Sequence, residues 1–289
     1  MELSGKTKVC AIIGDPIEHT MSPPMHNAAF RKLGLDFVYM PFRVLKEDLP
    51  QAVDGLKALG VSGFNVTMPH KVAIIPLLDK LDPLAEKIGA VNMVVNDDGC
   101  LTGYNTDGPG ALQALVEHGA NPENKNVVVL GAGGASRAIS YVLAQRGARL
   151  TILNRKLELD WAHNIARLIK DSLGAVVKVD ELGHQQLNSA LTAAEILVNA
   201  TSVGMSPEAG KSPVPAEVLG KPLVVLDIIY NPMQTKLLQD AAAAGCRTIG
   251  GVEMLVRQGV LCFEKWTGRK APVETMRRAA IKKLEQDEN

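Results

Sequence analysis

The sequence predicts an α/β protein, because short apolar runs that suit buried strands alternate with longer segments of helical periodicity along the chain. One apolar run, Val127 to Leu130, ends abruptly in the glycine-rich stretch Gly131 to Ser136. The helical pattern that follows, and a second apolar run at 149–153, complete a strand, helix, strand unit. Repetition of such units in the C-terminal half predicts a doubly wound sheet.

The glycine-rich stretch has the features of a phosphate-binding turn. Glycines allow a tight turn and a close approach of the main chain to a pyrophosphate, and the start of the following helix favours negative charge. The second strand delivers Asn154 and Arg155 about 20 residues later, where a dinucleotide fold reads the adenosine ribose. The alternative is a similar turn in some other α/β protein. The candidate cofactor-binding residues of the turn are Gly131, Ala132, Gly133, Gly134 and Ala135.

Composition sets broad limits. The chain has 289 residues, of which 46% are hydrophobic, so it can bury a sizeable core and is long enough for two domains. Lys plus Arg number 31 and Asp plus Glu 31, so net charge gives no reason to expect nucleic acid or a membrane as a partner. No apolar run approaches the ~20 residues that span a bilayer, and the four cysteines lack metal-ligand spacing. A cytoplasmic protein without a metal is therefore expected.

Upstream of the glycine turn, the alternation predicts a first α/β domain. The predicted strands are 9–13, 37–44, 63–67, 90–96 and 100–104, and the predicted helices are 22–33, 47–59 and 109–118. Thr20 and Ser22 lie beyond the carboxyl end of the first strand, where open α/β sheets hold ligands. Ser22 precedes Pro23, so its two interpretations are an N-cap of the first helix and a substrate contact.

The stretch Asn65 to Lys71 closes the third predicted strand. It offers an amide, a hydroxyl from Thr67 and an amine, which suits a polyhydroxylated ligand because every buried hydroxyl needs a partner. Residues 72–78 are amphipathic, so Lys71 is predicted at a helix start, which is unfavourable for a cation and suggests a function. Asp107 also starts a predicted helix and is interpreted either as an N-cap or as an acid–base partner of Lys71.

The C-terminal half continues the pattern. The predicted strands are 149–153, 175–179, 196–199, 224–228 and 246–250, and the predicted helices are 136–147, 160–173, 187–193, 235–244, 253–266 and 273–284. Thr201 follows the strand 196–199, so it is predicted to line the cofactor crevice. Gln258 is a polar residue among apolar neighbours of a predicted helix.

Several of these stretches together resemble the shikimate dehydrogenase family, which reduces 3-dehydroshikimate with NADPH in the aromatic amino-acid pathway. The resemblance covers nearly the whole chain, and the motifs occur in the family's order. They are Gly14-Asp15-Pro16-Ile17, Asn65-Val66-Thr67 with Pro69 and Lys71, Gly89-Ala90-Val91-Asn92, Asn105-Thr106-Asp107-Gly108, Gly131-Ala132-Gly133-Gly134-Ala135, Asn154-Arg155, Tyr230-Asn231-Pro232, and the helix with Met254, Leu255 and Gln258.

The resemblance implies a division of labour along the chain. Residues 1–106, completed by the C-terminal helices 251–289, would bind the substrate, and residues 107–250 would form a Rossmann-type NADP-binding domain, with the active site in the cleft between the two. Lys71 and Asp107 would be the catalytic pair. The implied substrate contacts are Thr20, Ser22, Asn65, Thr67, Asn92, Tyr230 and Gln258. The implied cofactor contacts beyond the glycine turn are Asn154, Arg155, Lys156, Thr201 and Gly251. The expected partner is a small molecule, and a homodimer is one assembly state consistent with the sequence.

Two positions depart from the family pattern. Members usually have serine where this chain has Thr20, whose added methyl narrows the pocket, so the choice between shikimate and the related quinate stays open. NADP-specific members commonly carry a second arginine shortly after Asn-Arg, whereas this chain continues Lys156-Leu157-Glu158-Leu159. Arg155 and Lys156 can still meet a 2′-phosphate, and no acid replaces Asn154 to bind a free ribose hydroxyl, so NADP is favoured.

The expected reaction is reversible hydride transfer between the nicotinamide and C3 of shikimate, in which Lys71 and Asp107 supply the acid–base chemistry. The sequence does not divide the proton transfer between them. One alternative is a quinate/shikimate dehydrogenase that also uses NAD. Another is a non-catalytic NADP-binding regulator on the same fold, although a sensor would not need paired acid–base groups.

Overall fold

The computed structural model describes residues 3–220 and 222–287. The chain divides into two compact units: the first contains residues up to Thr106 and from Gln258 onward, and the second contains Asp107 to Arg257. The chain returns from the second unit to the first after Arg257, seven residues beyond the boundary expected between residues 250 and 251. This point falls inside one continuous helix, because Gly251–Thr267 is helical throughout.

The first unit is built on a six-stranded mixed sheet. Its elements are β1 (Lys8–Gly14), α1 (Ser22–Lys32), β2 (Phe37–Arg43), α2 (Leu49–Ala58), β3 (Gly63–Val66), a 3₁₀ helix (Ile75–Leu77), β4 (Lys80–Leu81), α3 (Pro83–Ile88), β5 (Met93–Asp97) and β6 (Cys100–Tyr104). The strand order is β2-β1-β3-β5-β6-β4. Strand β5 is antiparallel to both neighbours, and β5 and β6 form the predicted hairpin.

The antiparallel β5 strand brings three chain segments to one edge of the first sheet. The end of β3 lies beside the start of β5, where Val66 N–H donates to the Asn92 carbonyl oxygen over 2.9 Å. The end of β6 lies on the other side, where Asn92 N–H donates to the Tyr104 carbonyl oxygen over 3.0 Å. Polar residues after β3, before β5 and after β6 therefore share this edge.

The second unit is built on a six-stranded parallel sheet in the order β12-β11-β10-β7-β8-β9. Its elements are α4 (Asp107–Glu117), β7 (Asn126–Leu130), α5 (Gly134–Gln145), β8 (Arg149–Asn154), a 3₁₀ helix (Lys156–Glu158), α6 (Leu159–Leu173), β9 (Lys178–Glu181), α7 (His184–Thr192), β10 (Ile196–Asn199), a 3₁₀ helix (Ala216–Val218), β11 (Val224–Asp227), α8 (Lys236–Ala243) and β12 (Arg247–Ile249). Helix α9 (Gly251–Thr267) passes from the second unit into the first, and α10 (Val273–Asp287) follows.

This order confirms the predicted Rossmann-type fold. The first strand of the sheet, β7, lies between β8 and β10, so the direction of strand addition reverses beside it. Such a switch point leaves a crevice at the carboxyl ends of the two central strands, where doubly wound sheets bind nucleotides. The strands are apolar on both faces because helices cover both, and Val129, Leu130 and Leu197 have no exposed surface.

Two local expectations about capping and helix start were wrong. Ser22 is the first residue of α1 and not its N-cap, which is Met21 and makes no side-chain capping bond. Lys71 does not start an α-helix, because turns lead from it to the short 3₁₀ helix Ile75–Leu77. Pro76 allows only a short helix there, since proline removes a hydrogen-bond donor.

One α-helix and one strand were missed, and two strands were displaced. Helix α3 begins at Asp82-Pro83, where the Asp82 side chain accepts a 3.0 Å bond from the Leu84 N–H, and it ends at left-handed Gly89. Those start and stop signals are visible in the sequence. The two-residue strand β4 has no such signal. Strands β5 and β9 each begin three residues later than predicted, at Met93 and at Lys178.

None of the described helices is both long enough and apolar enough to cross a membrane.

Candidate active site

A buried set of polar side chains lies at the shared edge of the first sheet. We call it the polar cluster; its members are Ser22, Tyr39, Asn65, Asn92, Thr106, Gln258 and Cys262. They come from α1, β2, β3, the chain before β5, the chain after β6, and α9. Each is 9% exposed or less, so its polar atoms need partners within the protein or in a ligand.

Asn65 is held from several sides within the polar cluster. Its Oδ1 accepts a 2.6 Å hydrogen bond from the Tyr39 hydroxyl, and its Nδ2 donates to the Asn92 carbonyl oxygen over 3.0 Å and to Cys262 Sγ over 3.2 Å. Burial raises the pKa of Tyr39 far above its ordinary value, so the phenol keeps the proton that it donates. Ser22 hydrogen-bonds to the same tyrosine. The orientation of the Asn65 amide is therefore fixed.

The other half of the polar cluster centres on Thr106. Its N–H donates to Asn92 Oδ1 over 2.7 Å, and its hydroxyl accepts from Asn92 Nδ2 over 2.9 Å. The Thr106 hydroxyl also lies 3.5 Å from Gln258 Oε1 and 3.4 Å from Cys262 Sγ. Gln258 and Cys262 are four residues apart on α9, so they project from the same face of that helix.

The remaining predicted residues of the first unit lie on turns. The Thr20 hydroxyl accepts a hydrogen bond from Ser22 N–H over 3.3 Å, which shapes the chain before α1. Thr67 follows β3 and packs against Gly14. A Cβ added to Gly14 would lie 2.3 Å from the Thr67 methyl group. Lys71 is half-buried, and its carbonyl oxygen accepts a 2.8 Å bond from Val91 N–H. This bond ties the Lys71 turn to the chain that carries Asn92.

In the second unit, the glycine turn lies at the switch point of the parallel sheet. Gly131 has a φ of +93°, and an added Cβ would lie 3.0 Å from the Ala200 carbonyl oxygen and from the Thr201 methyl. A side chain at this position would be both strained and crowded. Gly133, by contrast, precedes α5, and a Cβ added to it would meet no other atom within 4 Å. The turn therefore offers main-chain N–H groups at a helix start without side chains in the way.

A buried carboxylate network supports the neighbouring loop. Thr201 donates to Asn199 Oδ1 through its N–H over 3.1 Å and its hydroxyl over 2.7 Å. Asn199 in turn donates to Asp227 over 3.0 Å, as do Ile229 N–H over 3.1 Å and the Thr235 hydroxyl over 2.7 Å. Burial outweighs these three donors and raises the pKa of Asp227 to about 6. The network joins the carboxyl ends of β10 and β11.

The chain from Asn154 to Glu158, which we call the 154–158 loop, follows β8. Asn154 is buried, and its Nδ2 donates to the Glu158 carbonyl oxygen over 2.7 Å. Arg155 and Lys156 are exposed. Arg155 forms a two-pronged ion pair with Glu158, through Nε over 3.1 Å and Nη2 over 2.7 Å. The positive group expected to meet a phosphate thus already has an anionic partner.

The last predicted residues of the second unit begin helices or follow strands. Asp107 is buried at the first position of α4. Tyr230 follows β11, and burial raises the pKa of its phenol. An added Cβ on Gly251 would lie 2.4 Å from the Ile229 carbonyl oxygen, so only glycine lets α9 start against this chain. Gly251, Asp107 and Tyr230 all belong to the second unit.

The structure thus places Thr20, Ser22, Asn65, Thr67, Lys71, Asn92 and Gln258 in the first unit and the other predicted residues in the second. The residues that support them were not predicted from the sequence; they are Tyr39, Thr106, Cys262, Asn199, Asp227 and Glu158. Thr106 and Asp227 carried a local signal, because Thr106 is a polar residue two positions after strand β6 and Asp227 is the last residue of the apolar strand β11. Tyr39 had none, since tyrosine is an ordinary strand residue.

Known proteins share this sequence and fold. The family model described as the shikimate dehydrogenase substrate binding domain matches residues 12–94, and that described as the shikimate 5′-dehydrogenase C-terminal domain matches residues 251–281. The shikimate dehydrogenase (NADP(+)) of Desulforamulus reducens is 45% identical over 285 residues, which cover 98% of this chain and 97% of its own. This chain belongs to the shikimate dehydrogenase family.

Solved structures of the shikimate dehydrogenase family agree with this assignment. A crystal structure of shikimate dehydrogenase in complex with NADP+ matches with a TM-score of 0.92 and 43% identity, covering 98% of both chains. Shikimate 5-dehydrogenase from Listeria monocytogenes, in complex with shikimate and NAD, matches with a TM-score of 0.90 and 40% identity, covering 96% of this chain and 98% of that one. The resemblance inferred from the sequence motifs is confirmed.

Proposed function

We propose that this protein interconverts shikimate and 3-dehydroshikimate with NADP as the hydride carrier, in aromatic amino-acid biosynthesis. The near-full-length similarity to NADP-dependent shikimate dehydrogenases carries this proposal. In the direction of oxidation, shikimate loses a hydride from C3 and a proton from the hydroxyl on that carbon, and NADP+ becomes NADPH. The first unit binds the substrate, and the second binds the cofactor. The cytoplasm and a homodimer stay predictions.

The residues of the second unit fit an NADP molecule. The glycine turn leaves room for a pyrophosphate at Gly133 and presents N–H groups from the start of α5. Thr201 is held beside Gly131 by Asn199. Arg155 and Lys156 are the cations for the 2′-phosphate. When bound, NADP supplies the hydride acceptor, and every other step is the task of the protein's own side chains.

The polar cluster fits a substrate with several hydroxyls and a carboxylate. Its amides and hydroxyls, from Ser22, Asn92 and Gln258 with Thr20 and Thr67 nearby, supply both donors and acceptors. Both Nδ2 hydrogens of Asn65 are donated within the protein, to the Asn92 carbonyl oxygen and to Cys262 Sγ. Asn65 can meet the substrate only through Oδ1, so it mainly shapes the site. Tyr230 completes the proposed set of substrate contacts.

Lys71 and Asp107 are the proposed acid–base groups. Oxidation requires a base to take the hydroxyl proton as the hydride leaves, and reduction requires an acid to return it. The Lys71 amine takes this proton and becomes an ammonium group, which returns the proton in the reverse direction. The Asp107 carboxylate is the proposed partner of that ammonium group. Gly251 and the glycine turn position the NADP molecule. No metal is assigned a role.

The test is the initial rate of nicotinamide reduction, with shikimate or quinate crossed against NADP+ or NAD+. The expected result is the highest kcat/KM with shikimate and NADP+. A comparable kcat/KM with quinate would show that the protein is a quinate/shikimate dehydrogenase of broader specificity. Tight NADPH binding with no turnover of either acid would overturn the enzyme assignment in favour of a regulator. The similarity to NADP-dependent shikimate dehydrogenases favours neither alternative.

A further inference from the structure

The 154–158 loop holds Arg155 and Glu158 together by its main chain. Glu158 N–H donates to the Arg155 carbonyl oxygen over 2.9 Å, which closes a turn. Asn154 Nδ2 donates to the Glu158 carbonyl oxygen over 2.7 Å, and Asn154 is itself buried. These bonds use only main-chain atoms of Glu158. They bring its side chain beside that of Arg155 before any ligand binds.

The Arg155 guanidinium is engaged in the geometry that it would use for a phosphate. Arginine recognises carboxylates and phosphates through two parallel N–H groups, and here Nε and Nη2 both donate to the Glu158 carboxylate. The Arg155 side chain is 73% exposed and that of Glu158 25% exposed, so the pair is accessible to a ligand. None of the described residues forms an ion pair with neighbouring Lys156.

We propose that Glu158 is a specificity-determining residue that limits the preference of this protein for NADP over NAD. A 2′-phosphate has to displace the Glu158 carboxylate from Arg155 and remains close to its negative charge. A free ribose hydroxyl meets no such repulsion and can donate a hydrogen bond to a carboxylate. Lys156 remains the unopposed cation of the loop. This inference rests on the proposed function, because it requires that the 154–158 loop reads the adenosine ribose.

The substitution that tests the proposal is conservative. Glu158→Gln removes the charge and keeps the size, and the loop-closing bonds are retained because they involve only the main chain of residue 158. A matched control exists on the same unit. Glu208 pairs with Lys211 at the same spacing and is also on the surface, so Glu208→Gln removes an equivalent charge away from the loop.

Binding is measured by calorimetry with adenosine 2′,5′-bisphosphate and 5′-AMP, and then with NADP+ and NAD+. We expect Glu158→Gln to raise the affinity ratio of the phosphorylated over the unphosphorylated ligand by about fivefold, the scale of an exposed ion pair. Glu208→Gln should leave the ratio unchanged. In a background of Arg155→Ala, the effect of Glu158→Gln should shrink to less than about twofold, because the competition acts through Arg155.

The outcomes separate this inference from the proposed function. An unchanged ratio in Glu158→Gln, with NADP+ still bound, overturns the role of Glu158 alone. An equal effect in both the wild-type and Arg155→Ala backgrounds overturns competition through Arg155. Failure of the wild type to bind either NADP+ or NAD+ overturns both the cofactor assignment and this inference.

Discussion

The Tyr39 hydroxyl donates a 2.6 Å hydrogen bond to Asn65 Oδ1 and thereby fixes a side-chain amide whose two N–H groups are also engaged. Tyr39 is itself held in place, because its ring stacks on His26 with 4.6 Å between ring centroids. Tyr39, which is not one of the predicted substrate contacts, thus sets the orientation of the Asn65 amide in the polar cluster.

Tyr39→Phe should lower both stability and substrate affinity. Loss of the hydroxyl leaves buried Asn65 Oδ1 without this donor, which costs about 1–2 kcal/mol in the free energy of unfolding. The Asn65 amide then keeps only the two hydrogen bonds from its Nδ2 and is held less firmly, so we expect a higher KM for shikimate. Denaturant unfolding and initial rates measure the two effects.

A second tyrosine provides the control for this prediction. The Tyr141 hydroxyl is buried on α5 and finds no hydrogen-bond partner within the described ranges 3–220 and 222–287. Tyr141→Phe should therefore leave the free energy of unfolding unchanged or raise it. If Tyr39→Phe behaves like Tyr141→Phe in both assays, the proposed role of Tyr39 is wrong.

His26 should make stability depend on pH in the acid range. Complete burial lowers its pKa to about 3, and neither ring nitrogen has a hydrogen-bond partner among the described residues. Above the unfolded pKa of about 6.5, His26 is neutral in both states and contributes no pH dependence. Below it, the unfolded chain binds a proton that the folded chain does not, so stability falls as pH falls towards 3.

The measurement compares wild type with His26→Phe by denaturant unfolding at pH 7 and pH 5. Relative to the variant, the wild type should lose about 2 kcal/mol between these values. The difference isolates His26, because Asp227 and the other titrating groups are present in both proteins. Parallel pH profiles for the two proteins would show that His26 is protonated or solvated in the folded state.

Gly133→Ala should weaken NADP+ binding without unfolding the protein. The added methyl meets nothing within 4 Å in the protein, but it projects into the space that the pyrophosphate needs. We expect a rise in the Kd for NADP+ of about tenfold and an unchanged Tm. Gly210→Ala is the control, since Gly210 also has open space around it and lies outside the glycine turn. Equal Kd values for both variants would remove the glycine turn from the cofactor site.

Lys71→Ala should reduce turnover far more than substrate binding. A positioned general acid or base contributes about 10² to 10⁴ in rate, so kcat should fall by that factor while KM changes only a few-fold. Exposed Lys46, also on a turn of the first unit, provides the control variant Lys46→Ala, which should match wild type. A large rise in KM with kcat preserved would assign Lys71 to binding.

Much of the fold was predictable because its signals are local. The apolar run at 127–130, the glycines after it and the helical period of α5 lie within one short stretch, and each acts through main-chain conformation or burial. The helix α3 was equally local, from the Asp82 cap to Gly89, and was overlooked. The charge pairing of Arg155 with Glu158, three residues apart, was also readable from the sequence.

The positions of strands, turns and helices, and the polar residues that follow the strands, could be predicted because they depend on neighbours in the chain. Which polar groups meet could not be predicted, because that depends on how distant segments pack. Asn65 pairs with Tyr39 at a separation of 26 residues and with Cys262 at 197, and no local pattern encodes either contact. The antiparallel insertion of β5 creates the shared edge where they lie, since sheet order is set by the packing of the whole unit.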